Sequence, residues 1–215
     1  MSFSQAYLNR VYASAGIPEK FIDFDIAKLV KDGRSKPLWE NALAKAEQWK
    51  TAPPKGLLIA GSQGAGKSLA LWLNARAAVK SWLTENPPEN EVGTKVAPFF
   101  TCRFKTWLRD EFYPSQDGKR SWNFELRHAM LNSNAIFLDD LTLDASHEAF
   151  RPVKEFIELL TDDLSTLRNP PSLWITTNNS SDDLAKQLGE QVLDRLCGPK
   201  DGLCEIIKCN WESYR

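Results

Sequence analysis

Eight residues, GSQGAGKS from Gly61 to Ser68, fit the spacing GxxxxGK[ST]. Glycines at 61, 64 and 66 let the backbone turn its N–H groups inward around an anion. Lys67 carries a charge that reaches the β and γ oxygens of a nucleotide, and Ser68 offers a hydroxyl to Mg²⁺. An apolar stretch, GLLIA, stands before the loop and a helical pattern follows it. The loop therefore opens a helix whose N-terminal dipole favours the same anion. The phosphate-contacting set expected from this spacing is Ser62, Gln63, Gly64, Ala65, Gly66, Lys67, Ser68 and Leu69. A glycine-rich turn that matches by accident would lack the strand before it and the helix after it. The pattern leaves open ATP against GTP, and hydrolase against small-molecule kinase.

The stretch AIFLDDL, Ala135 to Leu141, is an apolar run closed by two acids. In a nucleotide site of this kind Asp139, at the end of a buried strand, is the expected Mg²⁺ partner through water, and Asp140 the group that orients the attacking water. Glutamate more often performs the second task. Aspartate is one methylene shorter, and a displacement of about 1 Å can cost about 100-fold in rate, so slow hydrolysis is expected. The alternative is a pair of surface aspartates capping the next helix. A third run, LWITTNNS (173–180), also ends in polar residues. Asn178 is placed to bond a γ-phosphate or the lytic water, although Thr-Asn-Asn-Ser also makes an ordinary turn and cap.

These residues need a scaffold that brings strand ends together. Apolar runs alternate with helical patterns, the signature of a parallel sheet flanked by helices. The expected strands are 56–61, 96–102, 134–140, 172–178 and 203–209. Lys67 to Glu85 reads as a helix. So does the stretch after the acids, where Phe150, Val153, Phe156, Ile157 and Leu160 recur at three and four residues. TENPPENEVGTK (84–95) reads as an exposed loop, and TAPPKG (51–56) breaks a helix before the first strand. The expected fold class is α/β, a P-loop core with a five-stranded parallel sheet between helices.

A chain of 215 residues, 42% hydrophobic and 26% charged, is long enough for one large domain with its own core. With 27 Lys and Arg against 28 Asp and Glu, any nucleic-acid surface must be a local patch and not a global field. Four cysteines at 102, 197, 204 and 209 lack CxxC spacing, which points to packing in a reducing compartment. There is no apolar run of membrane-spanning length and no signal-peptide pattern, so a cytoplasmic protein is expected.

In this order, the motifs make the chain resemble the AAA+ helicase-loader clade, the DnaC and DnaI loaders together with the IstB transposition ATPases. The likeness runs from AGIPEKFIDFD (15–25) to CNWESYR (209–215). AGIPEKF resembles the family's entry segment beside the adenine, which implies Ile17 and Pro18 against the base. FLDDL and ITTN are similar to the second acidic motif and the polar sensor strand. LGEQVLDRL (188–196) resembles the helix carrying an arginine finger, which implies that Arg195 enters a neighbour's ATP site. NWESYR is similar to the closing segment of the DnaC type, which implies Arg215 over its own γ-phosphate. The residues alone would make Arg195 a surface ion-pair partner. Only one strand is expected after Gly198, so the resemblance implies a helical lid reduced or absent.

Two departures stand out: Gln191 occupies a place where loaders often carry a second arginine, and about 14 residues precede the entry segment. The domain reading is therefore a short N-terminal helix, 1–14, and an ATPase domain, 15–215. The helix either docks a partner through Tyr7, Leu8, Val11 and Tyr12 or packs on its own domain. So small a loader points to a phage or mobile element. The family also threads single-stranded DNA past an element between its second and third strands. From Arg103 to Arg127 this chain carries six basic and four acidic residues interleaved with aromatics. The expected DNA contacts are Arg103, Lys105, Tyr113, Lys119 and Arg120. The resemblance implies an ATP- and Mg²⁺-dependent, self-assembling loader of a hexameric replicative helicase onto single-stranded DNA. The alternatives are an IstB-like transposition helper acting on duplex DNA with a transposase, and a small-molecule phosphotransferase.

Overall fold

Five apolar runs pair side by side in the computed structural model, which describes residues 3–24, 36–91, 99–103, 124–141 and 150–210. They are β1 (Gly56–Gly61), β2 (Phe99–Arg103), β3 (Ala135–Leu141), β4 (Ser172–Thr177) and β5 (Cys204–Cys209). All pairs are parallel and the order is β2-β3-β4-β1-β5. β1 and β4 are buried along their whole lengths. This is what a parallel sheet covered on both faces requires of its strands.

Alternation along the strands divides the core. Leu57, Ile59, Phe137 and Trp174 face α1 (Gln5–Ser14), α2 (Lys36–Gln48) and α3 (Lys67–Glu85). Leu58, Ile136, Leu138, Leu173 and Ile175 face the helices of the other layer: α4 (Phe124–Leu131), α5 (Phe150–Ser165), α6 (Ser181–Leu188) and α7 (Glu190–Cys197). Phe137 and Trp174 stack across β3 and β4 with centroids 5.8 Å apart, inside the first layer. Truncating either to alanine should cost about 3–5 kcal/mol, the usual price of an aromatic-sized core deletion.

The expected helix at 67–85 is observed with the same bounds. On α5, Phe156, Ile157 and Leu160 are buried as the spacing predicts. The second strand is described from Phe99 to Arg103, and its expected first residues, 96–98, lie outside the described residues. The helix expected within 188–196 is present as α7 and carries Arg195; it starts after Gly189, whose φ of 88° separates it from α6. A left-handed residue cannot continue a right-handed helix.

Of the two readings of the N-terminal helix, the structure has the one in which it packs on its own domain. Tyr7, Leu8, Val11 and Tyr12 are buried in the chain's own core, so they are not anchors for a partner's groove. The Ser4 side chain caps the helix by accepting from the Tyr7 N–H. Ser4 N–H and Arg10 also hold Glu91 through its carboxylate and its carbonyl.

Candidate functional site

Strand order decides which side chains meet. β4 lies between β1, which feeds the phosphate loop, and β3, which ends in the acids. The residues leaving β4 are therefore interposed between Lys67 and the acidic pair. Gly64 and Gly66 hold φ of 81° and 89°, and Gly61 133°, values that L side chains rarely adopt. The loop can thus curl back on itself to present Lys67.

Lys67 is buried, and its ammonium donates to Gly61 O at 2.8 Å, Ser62 O at 2.6 Å and Asn178 Oδ1 at 2.9 Å. Burial lowers its pKa below the ordinary lysine value, while Cys209, Asp140 and Asp139 act in the opposite direction without cancelling it. The Cys209 thiol beside it is pushed up to about 12 by burial and stays protonated. The Ser62 N–H bonds Cys209 O at 3.0 Å, which takes it out of the set of donors facing an anion.

Asp139 is buried with both oxygens engaged. Oδ1 accepts from Thr176 Oγ1 at 2.7 Å, and Oδ2 accepts from the Trp72 indole N–H at 3.0 Å. The Thr176 hydroxyl also accepts from the Asp140 N–H at 2.8 Å, so one side chain of β4 fastens both acids. Asp140 has φ 62°, the one non-glycine residue at positive φ among the described residues. The register of β3 on β4 shifts between Leu138 and Leu141, as at a bulge. Bulges re-aim side chains, and aspartate tolerates the left-handed region better than most residues. Re-aimed in this way, Asp140 accepts from Asn178 Nδ2 at 3.1 Å.

A cavity of about 340 Å³ gathers Gln63, Gly64, Gly66, Lys67, Ser68, Leu69, Asp139, Asp140 and Asn178, as the sequence leads one to expect. It also brings in Thr176, Thr177, Lys20 and Phe21, which sequence reasoning missed. Ile17 and Pro18 do not line it. Ile17 is buried in the core, and the short 3₁₀ turn Glu19–Phe21 presents Lys20 and Phe21 instead. Ala65 likewise points into the core. The entry segment is pinned from below, where Thr101 Oγ1 donates to Ala15 O at 2.6 Å.

Arg195 lies outside its own cavity. It is half-exposed on α7 and pairs with Asp162 of α5. Arg103 ends β2 in register with Asp139, which puts its backbone at the same edge of the sheet as the acids. Lys105, Tyr113, Lys119, Arg120 and Arg215 lie outside the described residues.

The donor set fits a nucleotide with Mg²⁺. The cavity joins one hydroxyl, Ser68, one buried carboxylate, Asp139, and one ammonium beside left-handed glycines. Mg²⁺ in such sites takes one or two protein groups and keeps nucleotide oxygens and water for the rest. Each oxygen of Asp139 has a second lone pair beyond the hydrogen bond it accepts here. Among the described residues no group of three or more His, Cys, Asp or Glu forms a metal cage, and no helix is long and apolar enough to cross a membrane.

A phosphate loop after β1, acids at the end of β3 and a polar side chain leaving the strand between them form the arrangement of a P-loop fold. Solved structures share this fold. The chain is similar to a protein assigned as a primosome component from Streptococcus pyogenes serotype M3, at 19% identity and TM-score 0.62, over 99% of this chain and 100% of that one. It is similar to the DnaC helicase loader at 20% identity and TM-score 0.61, over 85% and 94% of the two chains. It is similar to DnaI at 18% identity and TM-score 0.56, over 94% and 99%. The chain therefore shares the fold of these three solved structures. No family model and no curated protein matches the sequence.

Proposed function

We propose that this chain is a cytoplasmic ATPase that loads a hexameric replicative helicase onto single-stranded DNA, switching with ATP and assembling into a ring or spiral. The observation that supports it best is the linked set Lys67, Asn178, Asp140, Thr176 and Asp139 in one cavity of a loader-like fold. Ser68 and Asp139 would hold Mg²⁺, which supplies charge neutralisation at the β and γ oxygens.

Lys67 would exchange the Gly61 and Ser62 carbonyls and the Asn178 oxygen for phosphate oxygens. Asn178, relieved of Lys67, would be left to position Asp140 and the lytic water. Arg195 sits outside its own site, so in this reading its guanidinium serves the site of an adjoining copy, and turnover depends on assembly. A guanidinium supplied this way is worth about 10³ to 10⁵ in rate. The expected single-strand contacts at Arg103, Lys105, Tyr113, Lys119 and Arg120 belong to the same proposal, as does Arg215 over the γ-phosphate.

The test is a pull-down with the host's hexameric replicative helicase, with and without ATP, followed by single-strand and duplex binding. ATP-dependent retention of the helicase and preference for single strands are expected. Absence of helicase in both states would sink the loader reading, and preference for duplex would favour a transposition helper.

A further inference from the structure

Trp72 stands four residues after Ser68 on α3, so a helix places the two on one face. The indole is fully buried, and its N–H is spent on Asp139 Oδ2 at 3.0 Å. On the other side, Phe21 stacks on Trp72 with centroids 6.1 Å apart and planes 24° from parallel. The Lys20 ammonium lies 4.7 Å from the centre of the Phe21 ring. Lys20 and Phe21 line the same cavity as Asp139. Packing alone would be met by leucine or phenylalanine, neither of which has a donor to offer a buried carboxylate.

The carboxylate of aspartate turns on a broad torsion, so a single hydrogen bond fixes its plane poorly. Asp139 has two donors arriving from different elements, Thr176 of β4 on Oδ1 and Trp72 of α3 on Oδ2. The helix that carries Ser68 thereby also holds the acid expected to share the metal with it. We propose that Trp72 is a positioning residue for Mg²⁺, acting through its indole N–H on the carboxylate of Asp139. The proposal rests on the nucleotide-binding reading of the cavity.

The experiment measures binding of a fluorescent, non-hydrolysable ATP analogue in EDTA and across a Mg²⁺ titration, for Trp72→Phe, Asp139→Asn and the double variant. Phenylalanine keeps a ring on Phe21 and removes the donor. Outer partners of metal sites commonly contribute ten- to hundredfold in metal affinity, and the expected rise in the Mg²⁺ requirement of Trp72→Phe is about tenfold. Binding in EDTA should stay within about twofold of the starting chain, since the N–H touches no phosphate. In the Asp139→Asn background, Trp72→Phe should add nothing.

An unchanged Mg²⁺ requirement overturns the proposal, as do additive effects in the double variant or equal losses with and without metal, which mark a packing role. Should Trp72→Phe not fold, 3-benzothienylalanine at position 72 replaces the N–H by sulfur at nearly constant volume and is read in the same way. A starting chain that binds no analogue in EDTA or in Mg²⁺ overturns the nucleotide reading itself, and that result is distinct from a shifted metal requirement.

Discussion

Asn178 is hydrogen-bonded to Asp140, its Nδ2 donating to Oδ1 at 3.1 Å, while its own oxygen accepts from Lys67. The amide thus links the cation expected to bind phosphate to the acid expected to orient water. A γ-phosphate that draws Lys67 away changes the partners of Asn178, and Asn178 is the side chain holding Asp140. Asn178→Ala should lower ATP turnover by about 100-fold, a loss typical of a preorganised donor. Nucleotide affinity should change by less than about threefold, since three loop glycines and Lys67 remain. Steady-state turnover and equilibrium binding check this, and unaltered turnover would remove Asn178 from the chemistry.

In the proposed water-orienting role, Asp140 would offset its missing methylene through its backbone. The positive φ and the register shift on β4 turn its carboxylate to Asn178. Asp140→Asn should keep nucleotide binding and lose turnover. Asp140→Glu should not speed the reaction, because the longer chain starts from a backbone aimed for the shorter one. It should also cost about 1 kcal/mol of stability, because glutamate lacks the local hydrogen bonding that lets aspartate occupy the left-handed region. Urea denaturation and turnover measured together test both parts; a faster, equally stable glutamate variant would refute the compensation.

What the sequence makes legible here is set by range. The phosphate loop and the strand that ends in Asp139 are read from local spacing and apolar runs, and both lie where those signals put them. The break at Gly189 had a local signal too, a glycine inside a helical pattern. Other features depend on pairing with distant segments. The left-handed turn at Asp140 is made with β4, more than 30 residues on, and Thr176 reads from sequence only as a β-branched strand residue. Trp72 reads as core because its acceptor is 67 positions away. An apolar helical face such as Tyr7, Leu8, Val11 and Tyr12 has the same spacing whether it meets its own domain or another protein. Phe21, and not Ile17, reaches the cavity because a 3₁₀ turn changes the phase of the segment.

Lys67 gives a pH prediction. Burial depresses its pKa below the ordinary lysine value, so its positive charge is lost at lower pH than for an exposed lysine. The charge is what attracts phosphate. Affinity for ATP should therefore fall as pH rises, beginning below the pH at which an exposed lysine loses its proton. Bound phosphate favours the protonated form, so binding in that alkaline range should take up a proton. Calorimetric titration in buffers of different ionisation enthalpy reads this uptake. Lys67→Arg, which stays charged, should abolish the proton uptake even though its altered shape weakens binding. Proton release, or no linkage in the starting chain, would contradict the assignment.

Arg195 separates action within a chain from action between copies. Its guanidinium is paired with Asp162, outside the cavity that holds Lys67 and Asp140. Within one chain, Arg195→Ala should leave nucleotide binding intact. In an assembly it should lower turnover by about 1000-fold, as loss of a finger arginine does. Lys67→Ala destroys the opposite half, since that copy cannot engage ATP but still carries Arg195. Mixing the two inactive variants at equal amounts should restore turnover well above the sum of their separate rates, because each Arg195→Ala site can meet a Lys67→Ala neighbour with its arginine in place. The recovery should rise with protein concentration as mixed assemblies form. A mixture no better than its parts, at concentrations where the starting chain assembles and turns over, would return Arg195 to the role of a surface ion-pair partner of Asp162.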